Sequence, residues 1–263
     1  MRPEERIWIA LDVPGLEYAM PIVRQTRDFV GGYKIGKELF TAEGPRAVEA
    51  IKHIGGKVFL DLKYHDIPTT VAKAGVAAAR LGVEMFNVHT ASGTEMMQMT
   101  MAAVIPYRKR PKVLGVTVLT SLKDKDLDQI MGLAEAERSF FNREHVVVTR
   151  AKDAQGYGLD GVVCSAKELR AVRKVCGWDF LTMVPGTRSP GAAAHDQKNI
   201  ETPEYAIANG ADYLVIGRQV TEASDVLEEL EKIKQEVWQG TKKRFAKDLR
   251  RVRAVDFDLV HGW

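Results

Sequence analysis

The stretch Phe59-Leu60-Asp61-Leu62-Lys63-Tyr64-His65-Asp66-Ile67-Pro68 decides how this chain is read. It has the form of a buried strand running into a loop. Val58, Phe59, Leu60 and Leu62 are apolar, and Pro68 cannot continue the run. Strand side chains alternate between faces, so Asp61 and Lys63 share one face and Leu60 and Leu62 the other. A carboxylate and an ammonium on an apolar strand are costly to bury unless they pair or do chemistry. A structural ion pair is one reading of Asp61 and Lys63. Asp66, three residues further on, adds a second acid and points toward a reactive site.

Runs of the same kind recur along the chain. Apolar stretches at residues 7–13, 33–40, 58–64, 85–90, 113–120, 161–165, 180–184 and 213–216 give eight candidate strands. Stretches of helical period lie between them, at 43–54, 69–81, 92–104, 166–175 and 202–208. Gly55, Gly82, Gly177 and Gly210 follow helical stretches, where a C-cap belongs. Strands alternating with helices predict an α/β chain closed as a single (β/α)8 TIM barrel. A doubly wound open sheet competes, but Asp12-Val13-Pro14-Gly15 stands after the first strand instead of a Gly-rich dinucleotide turn. No linker divides the sequence, so one domain over residues 1–263 is expected, with a basic extension from about residue 240.

Composition narrows the function classes. A net charge of +3 on 263 residues is too small to argue for nucleic acid or a membrane surface as partner. No stretch approaches the ~20 apolar residues of a membrane helix. The charged residues 1–6 run straight into the first apolar stretch, with no signal-peptide pattern. Two cysteines, Cys164 and Cys176, are too few for a disulfide framework, and a reducing cytoplasm is the expected location. The six histidines show no metal-binding spacing, so no metal site is expected. From 242 to 253 seven basic residues face one acid, Asp248; this reads as a solvated helix face or a barrel-packing extension.

The chemistry-bearing residues fall where a barrel places its active site, at the carboxyl ends of the strands. Asp12 ends the first run, Lys34 and Lys37 lie on the second, and Asp61 and Lys63 on the third. His89 closes the fourth and Thr120 the fifth; Pro185-Gly186-Thr187-Arg188 follows the seventh and Gly217-Arg218 the eighth. Loops after the last two strands often hold phosphate in this fold, and arginine matches phosphate oxygens bidentately. Residues 186–199, rich in glycine and alanine and carrying Arg188 and Gln197, suit a lid that closes on a ligand. His65 reads as an outward structural residue, His89 as a supporting hydrogen-bonder, and Met96, Met97, Met99 and Met101 as core filler.

Together these pieces resemble the orotidine 5′-monophosphate decarboxylase family in its bacterial form. The matching segments are Ala10-Leu11-Asp12, Tyr33-Lys34-Ile35-Gly36, Asp61 through Thr70, Val118-Leu119-Thr120-Ser121, Val184 through Arg188, Asp196-Gln197 and Gly217-Arg218, in the family's order. The resemblance implies a homodimer with shared sites, no cofactor, and loss of carbon dioxide from orotidine 5′-monophosphate to give UMP. It implies that Lys63 protonates carbon 6 and that Asp61 faces the substrate carboxylate and holds Lys63. Lys34 and Asp12 would hold the ribose hydroxyls and complete the charged network. Asp66, Ile67 and Thr70 would enter the neighbouring subunit's site, and Thr120 would bond the pyrimidine. Arg188, Gln197, Gly217 and Arg218 would serve the phosphate and the lid. Acids flanking a lysine hold it as its ammonium, which suits a proton donor and disfavours an imine-forming aldolase. Two alternatives stay open. One is a magnesium-dependent phosphosugar enzyme of the same barrel, resembling hexulose-phosphate synthase, where an acid is expected in place of Lys34. The other is a non-catalytic phosphate-binding barrel.

Overall fold

A computed structural model describes residues 1–132, 142–191 and 201–261, with side chains described as far as 247. Eight parallel strands close into a barrel in sequence order. They are β1 (Ile7–Leu11), β2 (Gly32–Ile35), β3 (Val58–Tyr64), β4 (Met85–His89), β5 (Lys112–Val116), β6 (Gly161–Val163), β7 (Leu181–Pro185) and β8 (Tyr213–Ile216). All eight expected runs are strands, and β8 pairs back onto β1.

Both faces of each strand are covered, which is why the strands read as near-continuous apolar runs. One parity of each strand, such as Ile7, Ile9 and Leu11 on β1, packs outward against the helices. The other parity fills the barrel with Trp8, Ala10, Phe59, Met85, Leu114, Val116, Val163, Met183 and Val215. Full burial of each large side chain contributes roughly 1.5–3 kcal/mol. Trp8 needs unusual room: a Cβ on Gly32 would lie 2.5 Å from its ring.

The inward parity carries the site. Continuing it along each strand leads from Ala10 to Asp12, from Gly32 to Lys34, from Phe59 to Asp61, from Met85 to Asn87 and from Val215 to Gly217. The same alternation that fills the barrel's lower part with apolar groups therefore delivers charge at its upper rim.

Five runs end earlier than their apolar character suggests, three of them by one or two residues and two by four or five. The second stops at Ile35, because Gly36 caps a helix, Lys37–Glu43; Lys37 thus stands on that helix and not on β2. The fifth stops at Val116, where the Thr117 side chain and amide both turn to the Val163 carbonyl, so Thr120 lies in a loop. The five expected helices form within a few residues of their expected bounds, and Gly55, Gly82, Gly177 and Gly210 all adopt the left-handed region of φ. Pro68 opens the helix Pro68–Leu81 at a position where its missing N–H costs nothing.

The basic stretch is part of one long helix, Val226–His261. Leu230, Ile233 and Val237 are buried, and Gly240 lets the helix settle onto Glu204 and Ile207. Trp238 and Phe245 remain exposed.

Candidate active site

A cavity of about 700 Å³ opens at the carboxyl ends of the strands. Its wall includes Asp12, Lys34, Asp61, Lys63, Thr120, Arg188, Gly217 and Arg218, eight residues expected there from sequence. Lys37, now on its helix, also lines it.

Four of these side chains form an alternating row of charge. Lys34 Nζ lies 2.7 Å from Asp12 Oδ1 and 3.5 Å from Asp61 Oδ2. Asp61 Oδ1 accepts from Lys63 Nζ at 2.7 Å. The middle of the row is its most enclosed part: the Asp12 and Lys63 side chains are 55% and 29% exposed, whereas those of Lys34 and Asp61 are 9% and 12% exposed. A Cβ on Gly36 would meet both Asp12 Oδ1 and Lys34 Nζ within 3 Å, so glycine is what lets that pair form.

Asp61 and Lys63 meet as expected, but not on a flat strand. Between Leu60 and Tyr64 the register of β3 on β4 shifts: four steps along β3 match two along β4. Lys63 sits in this bulge with φ +51°, the one non-glycine residue with positive φ among the described residues. Such a backbone costs about 1–2 kcal/mol for a residue with a side chain. Asn87 on β4 holds it. Its Oδ1 accepts the Lys63 amide N–H at 2.7 Å, and its Nδ2 donates to Asp61 Oδ1 at 2.6 Å. One fully buried amide thus fixes the backbone of the lysine and the carboxylate of the acid. Asn87 was missed from sequence; an amide at the inward parity of an otherwise apolar strand is the signal that could have found it.

Arg188 and Arg218 line another part of the cavity, with Glu222 near them. The Arg188 side chain is buried, its Nη1 donates to the Thr187 carbonyl, and its Nε has no protein partner. Burial pushes the Arg188 guanidinium below its usual range, and the nearby charge of Arg218 pushes it further. Two guanidiniums held together this way favour a doubly charged anion between them. Gln219, a second residue not singled out from sequence, anchors this wall. Its Oε1 accepts the Ser189 amide at 3.1 Å, and its Nε2 donates to Ser189 Oγ at 2.6 Å and to Glu229 Oε1 at 2.7 Å. It thereby ties the neighbours of Arg188 and Arg218 together. Gln197 lies outside the described residues.

Asp66, Ile67 and Thr70 are exposed and lie outside the wall of this cavity. Asp66 Oδ1 accepts the Ile67 amide at 2.6 Å. His65 is exposed and stacks on His89 at 5.1 Å. Burial, then the charge of His65, hold His89 down to about 4, so it is neutral at physiological pH. Met96, Met97 and Met101 are core residues, and burial pushes the Cys164 thiol well above its usual range. Among the described residues, no group of three His, Cys, Asp or Glu side chains is arranged to hold a metal ion. None of their helices is long and apolar enough to cross a membrane.

A closed (β/α)8 barrel with acids and lysines at its strand ends, facing a pair of arginines, belongs to the class of barrel enzymes that act on small phosphorylated anions. More narrowly, the chain belongs to the orotidine 5′-phosphate decarboxylase / HUMPS family, whose model it matches over residues 5–233. It is 45% identical over 240 residues to an orotidine 5′-phosphate decarboxylase of Trichlorobacter lovleyi, covering 90% of this chain and 97% of the relative. A namesake from Idiomarina loihiensis is 47% identical over 220 residues, covering 84% and 92%. The crystal structure of orotidine 5′-phosphate decarboxylase from Lactobacillus acidophilus superposes with a TM-score of 0.75 at 33% identity, covering 88% of this chain and 97% of that one.

Proposed function

We propose that this chain removes carbon dioxide from orotidine 5′-monophosphate to give UMP, a step of pyrimidine biosynthesis, without a cofactor. The observation that carries the reading is the Asp61–Lys63 pair at 2.7 Å, in the same cavity as Arg188 and Arg218. The bond from carbon 6 to the carboxylate breaks, and its electron pair stays on carbon 6. A carbanion with no electron sink needs positive charge placed where it forms. Lys63 supplies that charge and then a proton from Nζ to carbon 6, leaving an amine that solvent reprotonates. Asp61 aims Lys63 and faces the departing carboxylate, while Lys34 and Asp12 take the ribose hydroxyls. Thr120 takes the pyrimidine edge, and Arg188, Gly217 and Arg218 take the phosphate.

The relatives named as decarboxylases support this reading over the phosphosugar alternative, as does Lys34 at a position where that alternative calls for an acid. An assay tests the reading directly. Turnover, followed by the absorbance of orotidine 5′-monophosphate, is expected to be unchanged by a chelator, because Lys34 and Lys63 are the site's own cations. Loss of turnover with chelator and its recovery with magnesium would favour the alternative.

The reading extends to a cytoplasmic homodimer. Asp66, Ile67 and Thr70 stand outside the cavity of their own barrel, which suits a role in the neighbouring subunit's site. Two buried, unpaired cysteines suit a reducing compartment.

Arg218 provides a test of the phosphate end. Replacement by alanine removes a charge-assisted contact worth roughly 2–4 kcal/mol, so kcat/KM is expected to fall tens- to several-hundred-fold. With a substrate lacking the phosphate the penalty should nearly disappear. An equal penalty on both substrates would place Arg218 in the scaffold.

A further inference from the structure

Asn87 is fully buried and is not part of the wall of the catalytic cavity, so a ligand there does not touch it. Its place is behind the reactive pair. On β4 it stands between Phe86 and Val88, which pair with Leu60 and Tyr64 of β3, so Asp61, Leu62 and Lys63 all lie opposite this single residue. On the other side of β3 the ladder has already ended: β2 pairs no further along than Leu60. The Asn87 side chain takes the place of a neighbouring strand, its Oδ1 accepting the Lys63 amide at 2.7 Å. Its Nδ2 donates to Asp61 Oδ1, the oxygen that also receives Lys63 Nζ.

The partners fix which way this amide points. A backbone N–H only donates and a carboxylate only accepts, so a turned amide would lose both bonds. The two ends of Asn87 therefore serve residues two positions apart, one the proposed proton donor and the other the acid that aims it. Other buried polar side chains are satisfied by the scaffold: Thr90, Thr100 and Thr117 give their hydroxyls to the carbonyls of Val116, Met96 and Val163. An amide committed to both members of the reactive pair, at a position where an apolar side chain would complete the strand, is hard to account for by packing.

We propose that Asn87 is a positioning residue of the decarboxylation and acts through Lys63; the inference rests on the decarboxylase reading of the site. The amide holds the Lys63 backbone in its left-handed bend and keeps the receiving oxygen of Asp61 in line with Nζ. The ammonium is thereby aimed before the substrate arrives. Lys34, 3.5 Å from Asp61 Oδ2, steadies the carboxylate at its other oxygen only. Without the Asn87 amide the bend loses its acceptor, the backbone relaxes toward negative φ, and Nζ leaves the point where the carbanion forms. A misplacement of about 1 Å at a reacting centre costs on the order of a hundredfold in rate.

Asn87→Ala and Asn87→Asp, each checked by a thermal melt, test this role. The first removes both bonds. The second keeps an acceptor for the Lys63 amide but puts an oxygen where Asp61 needs a donor. With orotidine 5′-monophosphate, kcat is expected to fall about a hundredfold in the first and about tenfold or more in the second, with KM within about threefold in both. In a Lys63→Ala background, Asn87→Ala should cost no more than about threefold, because the group it aims is gone. A crystal structure of Asn87→Ala should show Lys63 off its positive φ or Nζ displaced from Asp61. A kcat within about threefold of normal in the folded variants overturns the proposal. So does a penalty that persists undiminished without Lys63, or a Lys63 that has not moved. Near-normal turnover of Lys63→Ala, or no decarboxylation by the unaltered chain, would instead overturn the reading of the site, while the crystal structure still decides what Asn87 holds.

Discussion

Lys63→Ala is expected to give a folded protein whose turnover is reduced by about 10⁴-fold or more. General acid catalysis contributes ~10²–10⁴ and a charge placed at the developing carbanion a further ~10²–10³, and one side chain supplies both. Because both effects belong to the transition state, kcat and kcat/KM should fall together. The fold should survive, since Asp61 keeps the Asn87 amide at 2.6 Å and Lys34 at 3.5 Å and is not left as an unpaired buried charge. Single-turnover rates and a thermal melt make the check. Turnover within tenfold of the unaltered protein, in a folded variant, would rule Lys63 out as proton donor.

The second large effect tests the proposed shared site. Asp61→Ala and Asp66→Ala proteins should each be nearly inactive, the first for loss of the carboxylate that aims Lys63, the second for loss of an acid delivered across the interface. After equal mixing and subunit exchange, each heterodimer has one site with both acids unaltered, so roughly a quarter of the original activity should return. Recovery is read from the rate against time of exchange, with a tag on one variant to verify heterodimers. If tagged heterodimers form and stay inactive, Asp66 acts within its own chain or not at all.

Much of this architecture is legible in sequence because a barrel strand is buried on both faces and stands out as an apolar run. Strand ends are less legible. Phe40 and Val118 continue the apolar character of their runs, yet Gly36 caps a helix and Thr117 turns its hydroxyl to a neighbouring strand. Asp12, Lys34, Asp61 and Lys63 could be read as a site because charge at the inward parity of apolar strands is too costly to keep without a use. Asn87 carries no charge and lies in the middle of a short apolar run, so its part in the site emerges only when β3 and β4 are laid side by side. The bulge has no sequence mark at all: a left-handed position usually announces itself with glycine, and here it is lysine. Gln219 bonds to a residue 30 positions away, a pairing that spacing does not reveal. Asp66, Ile67 and Thr70 bear no comparable mark: resemblance assigns them to the neighbouring subunit's site, and the exchange experiment tests that assignment.

The left-handed backbone at Lys63 sets durability against turnover. Glycine would relax that φ at once, while every β-branched residue would tighten the strain. Selection for heat resistance alone would thus favour relief at the position that, under the proposed role of Lys63, selection for growth without added pyrimidine keeps as lysine. Stabilising substitutions compatible with activity should accordingly collect elsewhere, on helix surfaces and in loops far from β3, and a thermostable variant of this chain should keep its strained lysine.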